Sequence, residues 1–245
     1  MSRLLAFVRV MAVLAQVLRG WLTIVFLFPR LSPAQRQDRV SAWARGMLRA
    51  LGISLRVEGV PAEAGPVLIV ANHISWLDIL VVHASRFCRF VSKADVHHWP
   101  VVGRLATGAG TLYIERESRR DAMRVVHHMA DSLRAGDVLA VFPEGTTGDG
   151  TELRPFHANL LQAAITAGAP VQPVGLRFVD THSGAPSFSP CYVGDDTLVG
   201  SVWRTLSGPP VTAVVCFGAM QAAGDRDRRA WAADLHAAVD ALRAP

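Results

Sequence analysis

No stretch of this chain constrains its fold more than residues 67–79, VLIVANHISWLDI. Val67, Leu68, Ile69, Val70 and Ala71 form a short β-branched run without alternation, the pattern of a strand buried on both faces. The run stops at Asn72 and His73. Ser75, with Asp78 three residues on, then reads as the capping box of a helix over 75–85. His73 therefore falls in the turn at the strand's carboxyl end, where ligands bind in open α/β sheets. Asp78 falls in the first turn of the helix. An imidazole beside a carboxylate suits a base and its orienter. The carboxylate fixes the tautomer through one ring nitrogen and leaves the other to take a substrate proton. Positions five apart point to different faces of a regular helix, so the pairing needs His73 outside it. The same spacing also describes a plain capped helix after an ordinary loop histidine.

From residue 54 onward the alternation repeats. Strands are expected at 54–58, 66–71, 88–92, 111–114, 138–142, 171–178 and 211–217, with helices at 75–85, 119–134, 157–167 and 227–243. Ser118 and Asp121 cap the helix at 119–134, and Gly136 closes it. The expectation is an α/β fold: a mixed, mostly parallel sheet flanked by helices, in a chain whose 245 residues suffice for one substantial core. Three more segments sit where strands end. Residues 110–116 deliver the charged pair Glu115 and Arg116. Residues 139–150, LAVFPEGTTGDG, run from an apolar strand into a Gly/Thr-rich turn. Its exposed N–H groups suit an anion or a developing oxyanion, although a plain turn reads the same way. Residues 169–174 read as a core strand entered through prolines.

Ahead of this lies the most apolar segment, residues 4–28, interrupted by Arg9, Gln16, Arg19 and Gly20. Its uninterrupted part, 21–28, is too short to span a bilayer. A helix lying in the interface, or entering one leaflet and bending at Gly20, is expected instead. No small-residue cleavage pattern follows it. Arg30, Arg36, Arg39, Arg45 and Arg49 come next against one acid, Asp38, and such clusters favour an anionic cytoplasmic leaflet. The same residues also read as an amphipathic helix packed on the domain through Val40, Trp43, Met47, Leu48 and Leu51. An apolar content of 51% with 18% charged residues is greasy for a freely soluble protein. A net charge of +5 asks for an anionic partner, and the apolar segment makes that a membrane surface rather than nucleic acid. Cys88, Cys191 and Cys216 are widely spaced and make no disulfide framework, which implies a reducing compartment. There is no GxSxG, P-loop or GxGxxG. The histidine pairs 97–98 and 127–128 are adjacent and cannot face one metal from a helix, so no metal is expected.

Taken together, four blocks resemble the glycerolipid acyltransferase family, the bacterial 1-acylglycerol-3-phosphate acyltransferases and their relatives. Asn72, His73 and Asp78 look like its NHxxxxD block, and residues 110–116 like its second. Phe142, Pro143, Glu144, Gly145 and Thr146 resemble its FPEGT block, and Val171 to Val174 its proline-containing fourth. Lys93, Pro100 and Gly103 fall where the family has a lysine-led segment. The blocks stand in the family's order, and that ordered set decides for His73 what spacing left open. The resemblance implies direct acyl transfer from acyl-CoA or acyl carrier protein to the hydroxyl of a lysolipid, with no covalent acyl-enzyme and no cofactor. His73 would be the general base and Asp78 its orienter. Glu144, Gly145 and Thr146 would line the acceptor site, and Arg116 would hold an anionic head group. Lys93, the one lysine among 25 basic residues, is a further binding candidate as a compact point charge.

One departure bears on the acceptor. Members acting on lysophosphatidic acid continue FPEGT with arginine and serine, whereas Thr147 and Gly148 stand here. FPEGTT resembles the branch that acylates lyso-ornithine lipid, whose head is zwitterionic. No residue of TTGDG restores the lost cation, and Asp149 adds an anion. The implied organisation is a membrane-associated helical region at 1–50 and an acyltransferase domain at 51–245. The protein would be peripheral or monotopic at the cytoplasmic face of the inner membrane. The rival from another class is a non-catalytic membrane-binding protein that kept the fold.

Overall fold

Val67–Ala71 does form a strand with every residue buried, and the rest of the sheet explains why. The computed structural model describes residues 3–114 and 119–244. Its strands are β1 (Ile53–Gly59), β2 (Val67–Ala71), β3 (Arg89–Lys93), β4 (Leu112–Ile114), β5 (Val138–Val141), β6 (Val171–Asp180) and β7 (Val211–Phe217). Among the described residues they make one seven-stranded sheet ordered β1-β7-β6-β2-β5-β3-β4. Strand β2 pairs in parallel with β5 on one side and β6 on the other. The β6–β7 pair is antiparallel, and β1 runs parallel to β7. The expected mixed, mostly parallel sheet is what forms, with all seven strands at the expected places.

Helices cover both faces. They are α1 (Arg3–Leu22), α2 (Pro33–Leu51), α3 (Leu77–Ser85), α4 (Val102–Gly108), α5 (Arg119–Arg134), α6 (Leu161–Ala167), α7 (Leu198–Ser207) and α8 (Arg228–Arg243). Alternate side chains of β2 divide between two cores. Val67, Ile69 and Ala71 meet Met47, Leu48 and Leu51 of α2 and Leu77 and Val81 of α3. Leu68 and Val70 meet Met129 and Leu133 of α5, Leu161 of α6 and Trp231 of α8. A strand covered this way has no polar face, hence the unbroken apolar run.

Pro173 lies inside β6, a central strand, where proline is normally excluded. Its missing N–H falls at a break in the neighbouring ladder. Pairing of β6 with β7 starts at Val174, and Val171 instead bonds Gln221 beyond that strand's end.

Several expectations move. The helix expected from 75 begins at Leu77, and the one expected from 157 begins with a 3₁₀ turn, Ala158–Leu160. Ser118, the expected cap of α5, lies outside the described residues. Gly136 closes that helix at φ 89°. Helices α4 and α7 were not anticipated.

The N-terminal segment corrects the expected bend. Helix α1 runs through Gly20 to Leu22, and the break is a π-helical turn at Thr23–Leu27. Gly20 is instead a packing site: a Cβ there would come within 2.6 Å of Trp43 Nε1 on α2. Ala6, Val10, Val13 and Val17 lie on the same inward side. Arg9 and Gln16 turn inward too, while Arg19 is exposed. The Gln16 side-chain amide lies 3.1 Å from where a Cβ on Gly46 would stand, and Trp43 donates to the Gln16 backbone carbonyl at 2.8 Å. Arg9 lies against Gly52 at the carboxyl end of α2 and donates to Leu206 O on α7 at 3.3 Å. A guanidinium among helix C-terminal carbonyls is favourably placed. The opposite side of this segment is an exposed apolar stripe of Phe7, Met11, Leu14, Leu18, Leu22 and Val25 at helical spacing. Residues 5–30 form one helical stretch long and apolar enough, by length and composition, to cross a membrane. Helix α2 takes the packed reading of its residues, burying Val40, Met47, Leu48 and Leu51.

Candidate active site

At the carboxyl end of β2 the sequence switches from apolar to polar, and Asn72 and Asp78 there supply partners to backbone that the strand and helix leave unpaired. Asn72 is buried; its amide donates to Leu176 O at 2.9 Å and its carbonyl accepts from Leu176 N at 2.7 Å. This side chain continues the β2–β6 ladder while the main chain turns away.

Asp78 Oδ2 then gathers three donors: Ile74 N at 2.6 Å, Ser75 N at 2.8 Å and His73 Nδ1 at 2.8 Å. Its side chain is fully buried and that of His73 is 19% exposed, so the pair faces solvent only through the imidazole. Half of the expected capping box is present. Asp78 holds the Ser75 amide, but the Ser75 hydroxyl, donating to Pro190 O at 2.6 Å, accepts from Leu77 N at 3.3 Å and not from the Asp78 amide.

The loop after β5 clamps His73 from the other side. Glu144 Oε1 accepts the His73 N–H at 2.6 Å, and Gly148 donates to the His73 carbonyl at 2.8 Å. The Phe142 ring stacks on the imidazole with centroids 4.0 Å apart and planes 3° from parallel. Phe142 to Gly145 close a β-turn, with Gly145 at φ 73°. Glu144 Oε2 accepts the Arg154 N–H at 3.0 Å, so both its oxygens brace backbone. Burial pushes the Glu144 carboxyl above its usual range, against the pull of these two amides. Glu144 thus sits in the site as a support for the His73 turn.

A third element, residues 188–196, straps across both loops and had no sequence signal. Tyr192 donates to Ile74 O at 3.1 Å, and the Thr147 hydroxyl donates to Tyr192 O. The Arg204 guanidinium on α7 fastens the strap through Ser189 O at 3.1 Å, through Cys191 O, and through Asp196 at 2.8 Å. Trp76 donates to Ser201 on the same helix at 3.1 Å. Thr147 therefore ties the loop to the strap. Cys191 is buried and donates to Asp149 O at 3.3 Å. Burial, with Asp78 and Asp149 nearby, pushes its thiol up to about 11, which keeps it protonated and a poor nucleophile.

Of the other expected residues, Lys93 ends β3 at the same edge of the sheet and is exposed. Gly145 and Thr146 lie in the clamping loop. Arg116 lies outside the described residues. Asn72, Phe142, Arg154 and Arg204 are the participants that sequence reasoning gave no separate role. Among the described residues no three His, Cys, Asp or Glu side chains gather as metal ligands.

Three comparisons bear on this arrangement. The acyltransferase family model matches residues 54–177. The chain is 39% identical over 199 residues to the 1-acyl-sn-glycerol-3-phosphate acyltransferase of Neisseria gonorrhoeae, covering 80% of this chain and 77% of that protein. It is 38% identical over 192 residues to the lyso-ornithine lipid O-acyltransferase of Pseudomonas aeruginosa, covering 78% and 73%. Its fold matches the crystal structure of the 1-acyl-sn-glycerophosphate acyltransferase of Thermotoga maritima with a TM-score of 0.63. That match has 19% identity and covers 97% of this chain and 98% of the other.

Proposed function

Because the chain belongs to the acyltransferase family, we propose that it moves an acyl group from a thioester to a lysolipid hydroxyl, with His73 as general base and Asp78 as its orienter. The observation that carries this is the 2.8 Å contact between His73 Nδ1 and the buried carboxylate of Asp78. That contact puts the proton on Nδ1 and leaves Nε2 basic. An alcohol with a pKa far above 7 needs such a base. Nε2 takes the hydroxyl proton as the oxygen attacks the thioester carbonyl. The tetrahedral oxyanion then collapses, the C–S bond breaks, and the imidazolium returns the proton to the leaving thiolate. The N–H groups of Thr146 and Thr147 carry no hydrogen bond among the described residues and are candidates to receive the oxyanion. Clamping His73 through its N–H, carbonyl and ring face supplies the fixed geometry such a step requires.

Lys93 and Arg116 would bind anionic parts of the substrates, with acyl-CoA or acyl carrier protein as donor and no cofactor. The exposed stripe of α1 would lie in the bilayer interface, with the arginines of α2 near anionic lipid of the cytoplasmic leaflet. The acceptor would be one of the two named for the relatives, lysophosphatidic acid or lyso-ornithine lipid. Presenting both in one reaction with acyl-CoA, then with acyl carrier protein, and following each lysolipid by mass spectrometry tests the reading. Consumption of one or both supports it, and no consumption with either donor contradicts it.

A further inference from the structure

Among the described residues three cations stand around the loop that clamps His73, and two are spent on the fold. Arg204 holds the strap and Asp196. Arg243 on α8 donates to Gly150 O at 2.8 Å and pairs with Asp240 at 2.6 Å. The third, Arg154, is different. Its backbone N–H is fixed to Glu144 Oε2 at 3.0 Å, one residue contact away from the His73 amide on the same carboxylate. Its side chain is exposed, and its guanidinium makes no hydrogen bond or ion pair among the described residues.

The side chain folds back over the loop. Arg154 Nε lies 3.7 Å from where a Cβ on Gly148 would stand, and Gly148 is the residue that holds the His73 carbonyl. Gly150 at φ 83° and the Asp149–Thr151 turn, with Asp149 Oδ1 accepting from Thr151 N at 2.9 Å, reverse the chain so that residue 154 returns to residue 148. This guanidinium, which the Asp149 carboxylate attracts without forming an ion pair, has beside the His73 turn the fork of donors that a phosphate or carboxylate matches.

We propose that Arg154 binds the anionic group of the lysolipid head, supplying at the clamping loop the cation that Thr147 does not. This rests on the lysolipid acylation proposed above. No residue of TTGDG restores the charge, and the replacement comes instead from ten residues beyond Glu144. Thr147 remains free to hold the strap.

The test measures Arg154→Gln and Arg154→Lys with lysophosphatidic acid and with lyso-ornithine lipid. Arg154→Gln should raise the acceptor KM at least tenfold and leave the donor KM in place, and the lysine variant should fall between. A larger rise for lysophosphatidic acid identifies a phosphate as the group held; a larger rise for lyso-ornithine lipid identifies a carboxylate. An unchanged acceptor KM, or a change confined to the donor, overturns the assignment while leaving the acylation reading intact. A wild-type protein that acylates neither lysolipid overturns both.

Discussion

His73 is held through four different atoms or faces, and only one of these contacts was readable as spacing. The five-residue step to Asp78 permitted the imidazole–carboxylate bond, which needs only a turn before a helix, and the ordered blocks decided for it over a plain cap. Glu144 reads as a site-lining acid, yet both its oxygens hold backbone amides. No pattern within one segment says which distant N–H a carboxylate will meet. Phe142 leads to a second buried histidine through a chain of rings. It lies 5.4 Å from Phe90, which lies 5.1 Å from His83. Burial lowers His83 from 6.5 to about 4. Its folded pKa is thus below its unfolded one, so the unfolded chain binds more protons between those values and stability is lost as pH falls from 6.5 toward 4. Wild type should lose about 2 kcal/mol from this group between pH 8 and pH 5. His83→Leu should remove that loss, as urea unfolding at the two pH values would show. Equal pH dependence in both proteins would mean that His83 is not neutral when folded.

At the level of elements, strands were legible and short helices were not. Buried strands announce themselves as apolar runs between turn residues, as β2 and β5 do, while the half-exposed β1 shows itself by its place in the alternation of strands and helices. Helix α4 has glycine at both ends of its core and enters through Val101 at φ 65°, an uncommon conformation for a β-branched residue that no local rule anticipates. Helix α7 has a good cap in Thr197, which accepts from Gly200 N at 3.1 Å, but its purpose appears only in three dimensions. It carries Arg204, which fastens the strap over the His73 turn. Arg204→Ala should lower kcat about tenfold by loosening the turn that aims Asp78 at His73. The acid limb of the pH–rate profile should move as well, with partial rescue by Arg204→Lys. A loss of thermal stability with an unchanged kcat and profile would reduce the strap to a structural part.

Across the whole molecule, one sheet edge carries His73 and the groups that hold it, and α1 carries an exposed apolar stripe. Both were legible in outline, one as the ordered blocks and the other as residues 4–28. The two-sidedness of α1 was not, because its inner face is as apolar as its outer one. Val10, Val13 and Val17 pack on the core while Phe7, Met11, Leu14 and Leu18 are exposed. Deleting the segment would therefore uncover core as well as remove the surface patch. A cleaner test replaces Leu14 and Leu18 with glutamate, which leaves the inner face alone. Burying a leucine is worth about 1.5–3 kcal/mol, so flotation with anionic liposomes should show at least a tenfold loss of binding. Unchanged flotation would place the membrane contact elsewhere.

The general-base role of His73 is the claim on which the rest depends, and His73→Ala tests it most directly. Transfer of a radiolabelled acyl group to the preferred lysolipid should fall roughly 10²–10⁴-fold or more, with circular dichroism and liposome binding as in wild type. Turnover near the wild-type rate in this variant would contradict the account.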